Sequence, residues 1–189
     1  MSQPTIEEQL VKYIEDAYAL EQHVDALLAS MIASTDVPEL LEPLKQHRQE
    51  TQRHKQRLEE RLQAHGASPS VVKDAGMTLV ALTKGLFDRT RSDNSGKIAR
   101  DGFVAEHLEI AAYEMLERVA DRAGDDETAT VARENKADEQ RMADTIAAAW
   151  DLAVDLSLKE EGVEGAPPIP APKGHDHMAP PPTPEGTAT

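Results

Sequence analysis

Apolar residues recur at spacings of three and four along four long stretches of this chain, and this periodicity limits the fold more than any other feature. The stretches cover residues 5–33, 38–65, 97–123 and 125–158. Spacings of three and four bring side chains onto one face of an α-helix, so each stretch predicts one unbroken amphipathic helix. In the first stretch the periodic apolar positions are Ile6, Leu10, Ile14, Ala17, Val24, Leu28 and Met31.

Turn residues group the four predicted helices into two pairs. Thr5 opens the first helix with the sequence signature of a capping box, and Gly66 and Gly124 follow the second and third helices. Short connections within each pair predict antiparallel hairpins. The longer segment 66–96 contains an apolar piece that predicts a shorter helix near 71–88 inside a crossover. Two hairpins joined by one long crossover predict an all-α protein, a ferritin-like four-helix bundle.

The C-terminal region differs sharply in composition from the rest of the chain. Eight of the 12 prolines and four of the 10 glycines lie after residue 160. So little apolar content cannot offset the entropy of ordering the chain. We therefore expect a folded bundle over residues 4–158 and a disordered, proline-rich tail over residues 159–189.

Charge and cysteine content exclude several classes of function. The formal net charge is −15, so we expect no nucleic-acid partner and no binding to anionic membranes. The chain has neither a signal-like N-terminus nor an apolar run of membrane-spanning length, which favours a cytoplasmic protein. It also has no cysteine, which excludes thiolate metal sites and cysteine nucleophiles. Any bound metal must be held by oxygen and imidazole ligands.

Ligand-type side chains interrupt the predicted inner faces of all four helices. Glu21 and Glu50 are 29 positions apart around the first turn, and Glu109 and Asp138 are 29 positions apart around the second. Residues equally far from the turn of an antiparallel hairpin face each other, so both pairs should meet at mid-bundle. Each second partner also follows another ligand-type residue by one helical turn. The candidate metal ligands are therefore Glu21, His47, Glu50, Glu109, Glu134 and Asp138.

Five carboxylates and one imidazole are close to the ligand set of dinuclear carboxylate centres in helical bundles. Buried carboxylates are costly unless they are paired or bound to a metal. Hard oxygen ligands with one nitrogen favour iron or manganese, and we expect two ions. Residues expected beside the ligands, as hydrogen-bonding neighbours or packing groups, are Glu106, His107, His54, Tyr18 and Tyr113.

Four sequence motifs also carry a family resemblance. Their order along residues 5–156 resembles the YciF/YciE-like ferritin-like proteins, which are bacterial and often associated with stress. The resemblance implies a cytosolic homodimer with a dinuclear metal site. The chain departs from ferritins and rubrerythrins in having H-x-x-E rather than E-x-x-H on its second helix. The motifs are Tyr18–Glu21, His47–Glu50–Thr51, Glu106–His107–Glu109–Ile110–Tyr113 and Glu134–Asp138.

Two functions are compatible with these residues. The first is a stress-response metalloprotein that consumes peroxide in the manner of a manganese catalase, or oxidises Fe(II) in the manner of a ferroxidase. The second is a non-enzymatic interaction module in which the same polar residues form a structural network in the core. Whether the chain is an enzyme stays open at the level of sequence.

Overall fold

The computed structural model describes residues 3–35, 37–68 and 94–168, and it contains only helices and turns in those ranges. The predicted crossover helix near 71–88 lies outside the described residues, as does most of the predicted tail. None of the described helices is long and apolar enough to cross a membrane. The helices are α1 (Ile6–Ser34), α2 (Pro38–Ala64), α3 (Ser95–Ala123), α4 (Asp126–Ala148) and α5 (Trp150–Glu160).

The helix ends follow the local signals in the sequence. The Thr5 hydroxyl accepts from the Glu8 amide, and the Glu8 carboxylate accepts from the Thr5 amide, which completes the predicted capping box. Gly66 and Gly124 have φ angles of 69° and 74°, a left-handed conformation that disfavours residues with a Cβ. Beyond Gly66 the Ala67 amide donates to the Leu62 carbonyl, which closes a Schellman motif.

The first four helices form an antiparallel bundle of two hairpins. Within the hairpins α1 packs on α2 and α3 packs on α4, and between them α1 packs on α3 and α2 on α4. Ion pairs fix the direction of α2 against α4, because Arg61 near the end of α2 contacts Asp125 at the start of α4. The four-helix bundle and the all-α class predicted from periodicity are confirmed.

The fourth predicted helix is interrupted, which corrects the expectation of one unbroken helix over 125–158. Ala149, with φ −100° and ψ 7°, separates α4 from α5. Beyond this break α5 runs along α3, with the rings of Trp150 and Phe103 5.3 Å apart. A Cβ built on Gly96 would lie 3.2 Å from the Ser157 side chain, so a glycine in α3 permits the close approach of α5. Because of the break, α5 packs mainly on α3, whereas α4 contacts both α2 and α3.

The bundle interior has two apolar clusters with a polar layer between them. One cluster is built around Leu10, Leu58 and Leu116, and the other around Leu28 and Met142. Burying such side chains stabilises the fold by roughly 1.5–3 kcal/mol each. Burial of this kind at both ends of the bundle offsets the cost of enclosing a charged layer at its centre.

We expect Asp125→Ala to lower the free energy of unfolding by about 1–3 kcal/mol. Asp125 caps α4 by accepting from the Thr128 amide, and it also contacts Arg61 and His65. Burial opposes ionisation, but the bonds from Thr128 and His65 and the charge of Arg61 hold its pKa below the usual range. A lowered pKa stabilises the fold above pH 3.8 and the effect is lost as the pH falls further.

Urea unfolding at pH 7 and at pH 3 checks this prediction, with Asp126→Ala as the control. Asp126 is exposed at the next position of the same helix, so its loss should cost only a few tenths of a kcal/mol. Equal effects of the two substitutions at pH 7 would contradict the role of Asp125 as the cap.

Candidate metal centre

Six ionisable side chains from four helices form the polar layer, and each of them is at most 2 % exposed. Their burial follows from helix spacing: on α2, for example, His47 and His54 share one inward face with the apolar positions. We call these residues the inner layer. The inner layer consists of Glu21 from α1, His47 and His54 from α2, Glu106 and Glu109 from α3, and Glu139 from α4.

Four of these residues form a first group with ligand geometry. Ligand atoms of His47, Glu106, Glu109 and Glu139 all lie within 4.8 Å of one another. His47 Nε2 lies 3.2 Å from Glu106 Oε2 and 3.3 Å from Glu139 Oε2. A cation at the centre of this group would have one nitrogen and three carboxylate ligands. We call it the four-ligand position.

A second group shares one residue with the first. Ligand atoms of Glu21, His54 and Glu139 also lie within 4.8 Å of one another. His54 Nδ1 lies 3.1 Å from Glu21 Oε1 and 2.9 Å from Glu139 Oε1. We call this group the three-ligand position. Because Glu139 turns one oxygen to each histidine, its carboxylate is the group that could bridge two ions.

Three carboxylate oxygens of the inner layer have no hydrogen-bond partner among the described residues. Neither oxygen of the buried Glu109 is hydrogen-bonded, and Glu21 Oε2 is also without a partner. A buried carboxylate left in this state destabilises a protein by several kcal/mol. A cation would satisfy these oxygens, so the residues present fit a metal centre.

The histidines of the inner layer favour their protonated forms. Burial opposes protonation of His47, but its hydrogen bond to Glu106 and the charges of Glu106 and Glu139 raise its pKa to about 9. Burial likewise opposes protonation of His54, but hydrogen bonds to Glu139 and Glu21 raise its pKa to about 10. Without a metal ion, protons held between these imidazoles and their carboxyl partners therefore partly balance the negative charge of the inner layer near neutral pH.

The carboxyl groups also retain protons. Burial raises the pKa of Glu106 to about 8, although the hydrogen bond and charge of His47 oppose this rise. Burial and the charges of Glu139 and Glu21 raise the pKa of Glu109 well above its usual range. The inner layer therefore holds protons that a metal ion would have to displace.

Glu50 and Asp138, predicted as ligands, lie outside the inner layer and contact its histidines. Glu50 Oε2 is 3.4 Å from His47 Nδ1, and Asp138 Oδ2 is 3.0 Å from His54 Nε2. Each histidine thus turns one ring nitrogen toward the inner layer and the other toward a carboxylate. Metal-bound histidines commonly have this arrangement, because the outer carboxylate orients the ring. Toward solvent, the exposed Arg141 pairs with both carboxylates.

Some of the other residues predicted for the site lie in the inner layer, and others lie on the protein surface or in an apolar cluster. Glu134, expected on the inner face, is instead exposed and pairs with Arg57. His107 is exposed and contacts the carbonyl of its own helix at Phe103. Tyr18 packs within an apolar cluster. The predicted ligands Glu21, His47 and Glu109 do come together, and so do His54 and Glu106, which were expected only beside the ligands.

Tyr113 contacts the inner layer directly. Its hydroxyl donates to Glu21 Oε1 and accepts from Asn135 Nδ2 at 3.0 Å. Asn135 Oδ1 in turn accepts from Arg57 Nη1 at 2.8 Å. This chain of hydrogen bonds fixes one oxygen of Glu21 and leaves the other, Oε2, without a partner.

Glu139 belongs to both ligand groups, but the sequence pattern did not predict it as a ligand. The predicted inner face of α4 contained Glu134 and Asp138, whereas the buried face contains Ala132, Asn135 and Glu139. The sequence separation of residues across the two hairpins could have indicated Glu139. Glu21 and His54, which are in contact, are 33 positions apart, and Glu106 and Glu139 have the same separation.

Comparison with known proteins identifies the family. A family model described as a domain of unknown function, DUF892, matches residues 5–158. The chain belongs to this family. The match covers all four helices of the DUF892 bundle, and the predicted YciF-like membership is confirmed.

Solved structures share the fold of this DUF892 chain. A Xanthomonas campestris protein is 26 % identical, with a TM-score of 0.67 over 84 % of this chain and 99 % of its own. The Escherichia coli stress protein YciF is 18 % identical, with a TM-score of 0.65 over 81 % and 99 %. YcfI from Rhodopseudomonas palustris is 24 % identical, with a TM-score of 0.59 over 76 % and 94 %.

Proposed function

We propose that this protein binds two iron or manganese ions in the inner layer, with Glu139 between them. The observation that carries the proposal is the pair of ligand groups sharing one buried carboxylate. The orphaned oxygens of Glu109 support it, because burial without a partner is costly and a cation removes that cost. Carboxylates with one imidazole for each ion form a hard ligand set that favours iron or manganese over Cu(I).

Two redox-active ions held together would supply the electron transfer needed to consume peroxide, or to oxidise Fe(II) with dioxygen or peroxide as the electron acceptor. Peroxide consumption converts two molecules of hydrogen peroxide into one dioxygen and two waters, so it requires no further reductant. Around the ions, Glu50 and Asp138 orient the two histidines, and the apolar clusters exclude water. A role in the stress response is consistent with the description of the E. coli relative as a stress protein.

Metal analysis and two assays test this function. Protein purified without chelators or affinity metals should contain iron or manganese, and the metal-free protein should take up two ions per chain. The loaded protein should consume hydrogen peroxide or oxidise Fe(II) faster than the free ion does. A chain that takes up no divalent metal would overturn the proposal. Sedimentation of the same samples would test whether the protein is a homodimer, which stays a proposal, as does its cytoplasmic location.

A structural polar core is the second candidate function. The contacts of His47 and His54 with buried carboxylates favour it, because these pairs partly satisfy the inner layer without any metal. In that case the protein would be an interaction module, and Glu109→Met would stabilise it without loss of any function. In the metalloprotein, the same substitution would stabilise the metal-free chain but remove an ion.

Tyr113→Phe should weaken metal binding at the three-ligand position and spare the four-ligand position. The substitution removes the hydroxyl that fixes Glu21, while the phenyl ring continues to fill the same buried space. We expect roughly a 10–100-fold loss of affinity for the second ion, the size of effect usual for residues that orient a ligand. Calorimetric titration with Mn(II) would measure both affinities.

Tyr18→Phe is the matched control. Tyr18 is a buried tyrosine of α1 in the same apolar cluster as Tyr113, but only the Tyr113 hydroxyl is hydrogen-bonded to Glu21. It should leave both affinities unchanged. Equal losses at the two positions in Tyr113→Phe would contradict the proposed role of the hydroxyl.

A further inference from the structure

Thr51 is a buried polar residue that the ligand assignment leaves unexplained. Its side chain is fully buried, and its hydroxyl has no hydrogen-bond partner among the described residues. Other helical threonines behave differently: Thr130 and Thr145 each donate to the carbonyl four residues earlier, at 2.8 Å. The Thr51 hydroxyl is therefore free although a backbone partner is the usual solution within a helix.

The position of Thr51 relates this hydroxyl to the candidate centre. Thr51 follows His47 by four residues and precedes His54 by three, so the three side chains share one face of α2. That face lines the inner layer, because both histidines contact its carboxylates. A small molecule bound to the ions would meet a hydrogen-bond donor there.

The two metal positions also differ in the number of protein ligands. The four-ligand position has His47 and three carboxylates, whereas the three-ligand position has only Glu21, His54 and Glu139. Metal sites that bind exogenous molecules keep coordination positions open, and a position with three protein ligands leaves more of them open than a position with four. An exogenous molecule should therefore bind preferentially at the three-ligand position.

We infer that the three-ligand position is where a small oxygen- or nitrogen-donor molecule binds, and that the Thr51 hydroxyl donates a hydrogen bond to it. Peroxide is the molecule of this class that the proposed function uses, and azide is a stable probe for it. This inference rests on the proposed metal centre. It adds which ion accepts the exogenous molecule and which protein group positions it.

Azide binding to the cobalt(II)-loaded protein tests the inference through the visible absorption of the metal. Cobalt should fill the four-ligand position first, so the azide-dependent change should appear only with the second equivalent of metal. Thr51→Val should bind the same amount of cobalt but bind azide roughly tenfold more weakly, as expected for one lost hydrogen bond. Thr51→Ser keeps the hydroxyl and should retain the azide affinity.

Thr128→Val is the matched control, because Thr128 is equally buried but its hydroxyl is bonded to Asp125 and Arg61 at the start of α4. It should lower the melting temperature and leave azide binding unchanged. An unchanged azide affinity in Thr51→Val would overturn the inference, as would a full azide response at the first equivalent of cobalt. Failure of the wild-type chain to bind cobalt at all would instead overturn the proposed function.

Discussion

Glu139→Gln should abolish tight binding of both metal ions, whereas Glu134→Gln, five positions earlier on the same helix, should bind two ions like the wild type. Glu139 belongs to both ligand groups and is fully buried, while Glu134 is exposed on the outer face of α4. Glutamine keeps the shape of the side chain but removes the negative charge that two cations would share. We expect the affinity for each ion to fall by at least about 100-fold. Losses of up to about 100-fold are usual even for residues that only hydrogen-bond to a metal ligand, and Glu139 would be a ligand itself.

Equilibrium dialysis against Mn(II), followed by metal analysis, measures this difference. Glu109→Gln provides an intermediate case, because Glu109 belongs only to the four-ligand position. It should reduce the stoichiometry from two ions to one. If Glu139→Gln retained two ions while Glu134→Gln lost one, the ligands would be those predicted from sequence and not those of the inner layer.

Metal affinity should rise steeply with pH between about 6 and 9. His47 and His54, with pKa values of about 9 and 10, and Glu106, with a pKa of about 8, hold protons at neutral pH in the absence of metal. Metal ligands must be deprotonated, so binding two ions should release about two or more protons. Each proton released gives a tenfold rise in affinity per pH unit, which makes the expected rise roughly 100-fold per unit.

The stability of the metal-free protein should change in the opposite direction. The histidine pKa values are raised from 6.5 and that of Glu106 from 4.5, so the folded state binds more protons than the unfolded state across this range. The free energy of unfolding therefore falls as the pH rises from about 4.5 to 10. Asp138, whose pKa is lowered by His54 and Arg141 despite burial, opposes this trend only near pH 4 and below.

Thermal melts with and without Mn(II) at pH 6, 7.5 and 9 test both statements together. The melting temperature without metal should fall with pH, and the increase caused by metal should grow. Proton release can be measured directly in a weakly buffered solution. A stabilisation by metal that is independent of pH would mean that the ions bind outside the inner layer.

The sequence was sufficient to predict the four helical stretches of the bundle and their pairing, but not the break in the last of them. Thr5 with Glu8 fixed the start of α1, and Gly66 and Gly124 fixed the ends of α2 and α3, because capping depends on groups within one turn. The break at Ala149 was not visible, since the surrounding alanines are good helix formers. Packing of Trp150 against Phe103, which are distant in sequence, accompanies that break.

The sequence predicted the types of side chain in the candidate centre, but not every residue that belongs to it. Three predicted ligands, Glu21, His47 and Glu109, lie in the inner layer. Glu139 was missed because adjacent residues on a helix differ by about 100° in direction, so Asp138 and Glu139 are both compatible with an approximately inward stripe. Which of the two points inward depends on how α4 is rotated against α2 and α3.

By itself, then, the sequence determined the four helical stretches, their antiparallel pairing and the presence of carboxylates and imidazoles at mid-bundle, because periodicity and capping are local properties. The tertiary structure decided which of these groups face one another. In the folded chain Glu139 lies between His47 and His54. Glu50 and Asp138 contact the outer ring nitrogens of the same histidines, and Glu134 is exposed. These outcomes depend on helix rotation and on the vertical offset between helices, which are set by side-chain packing across the whole bundle.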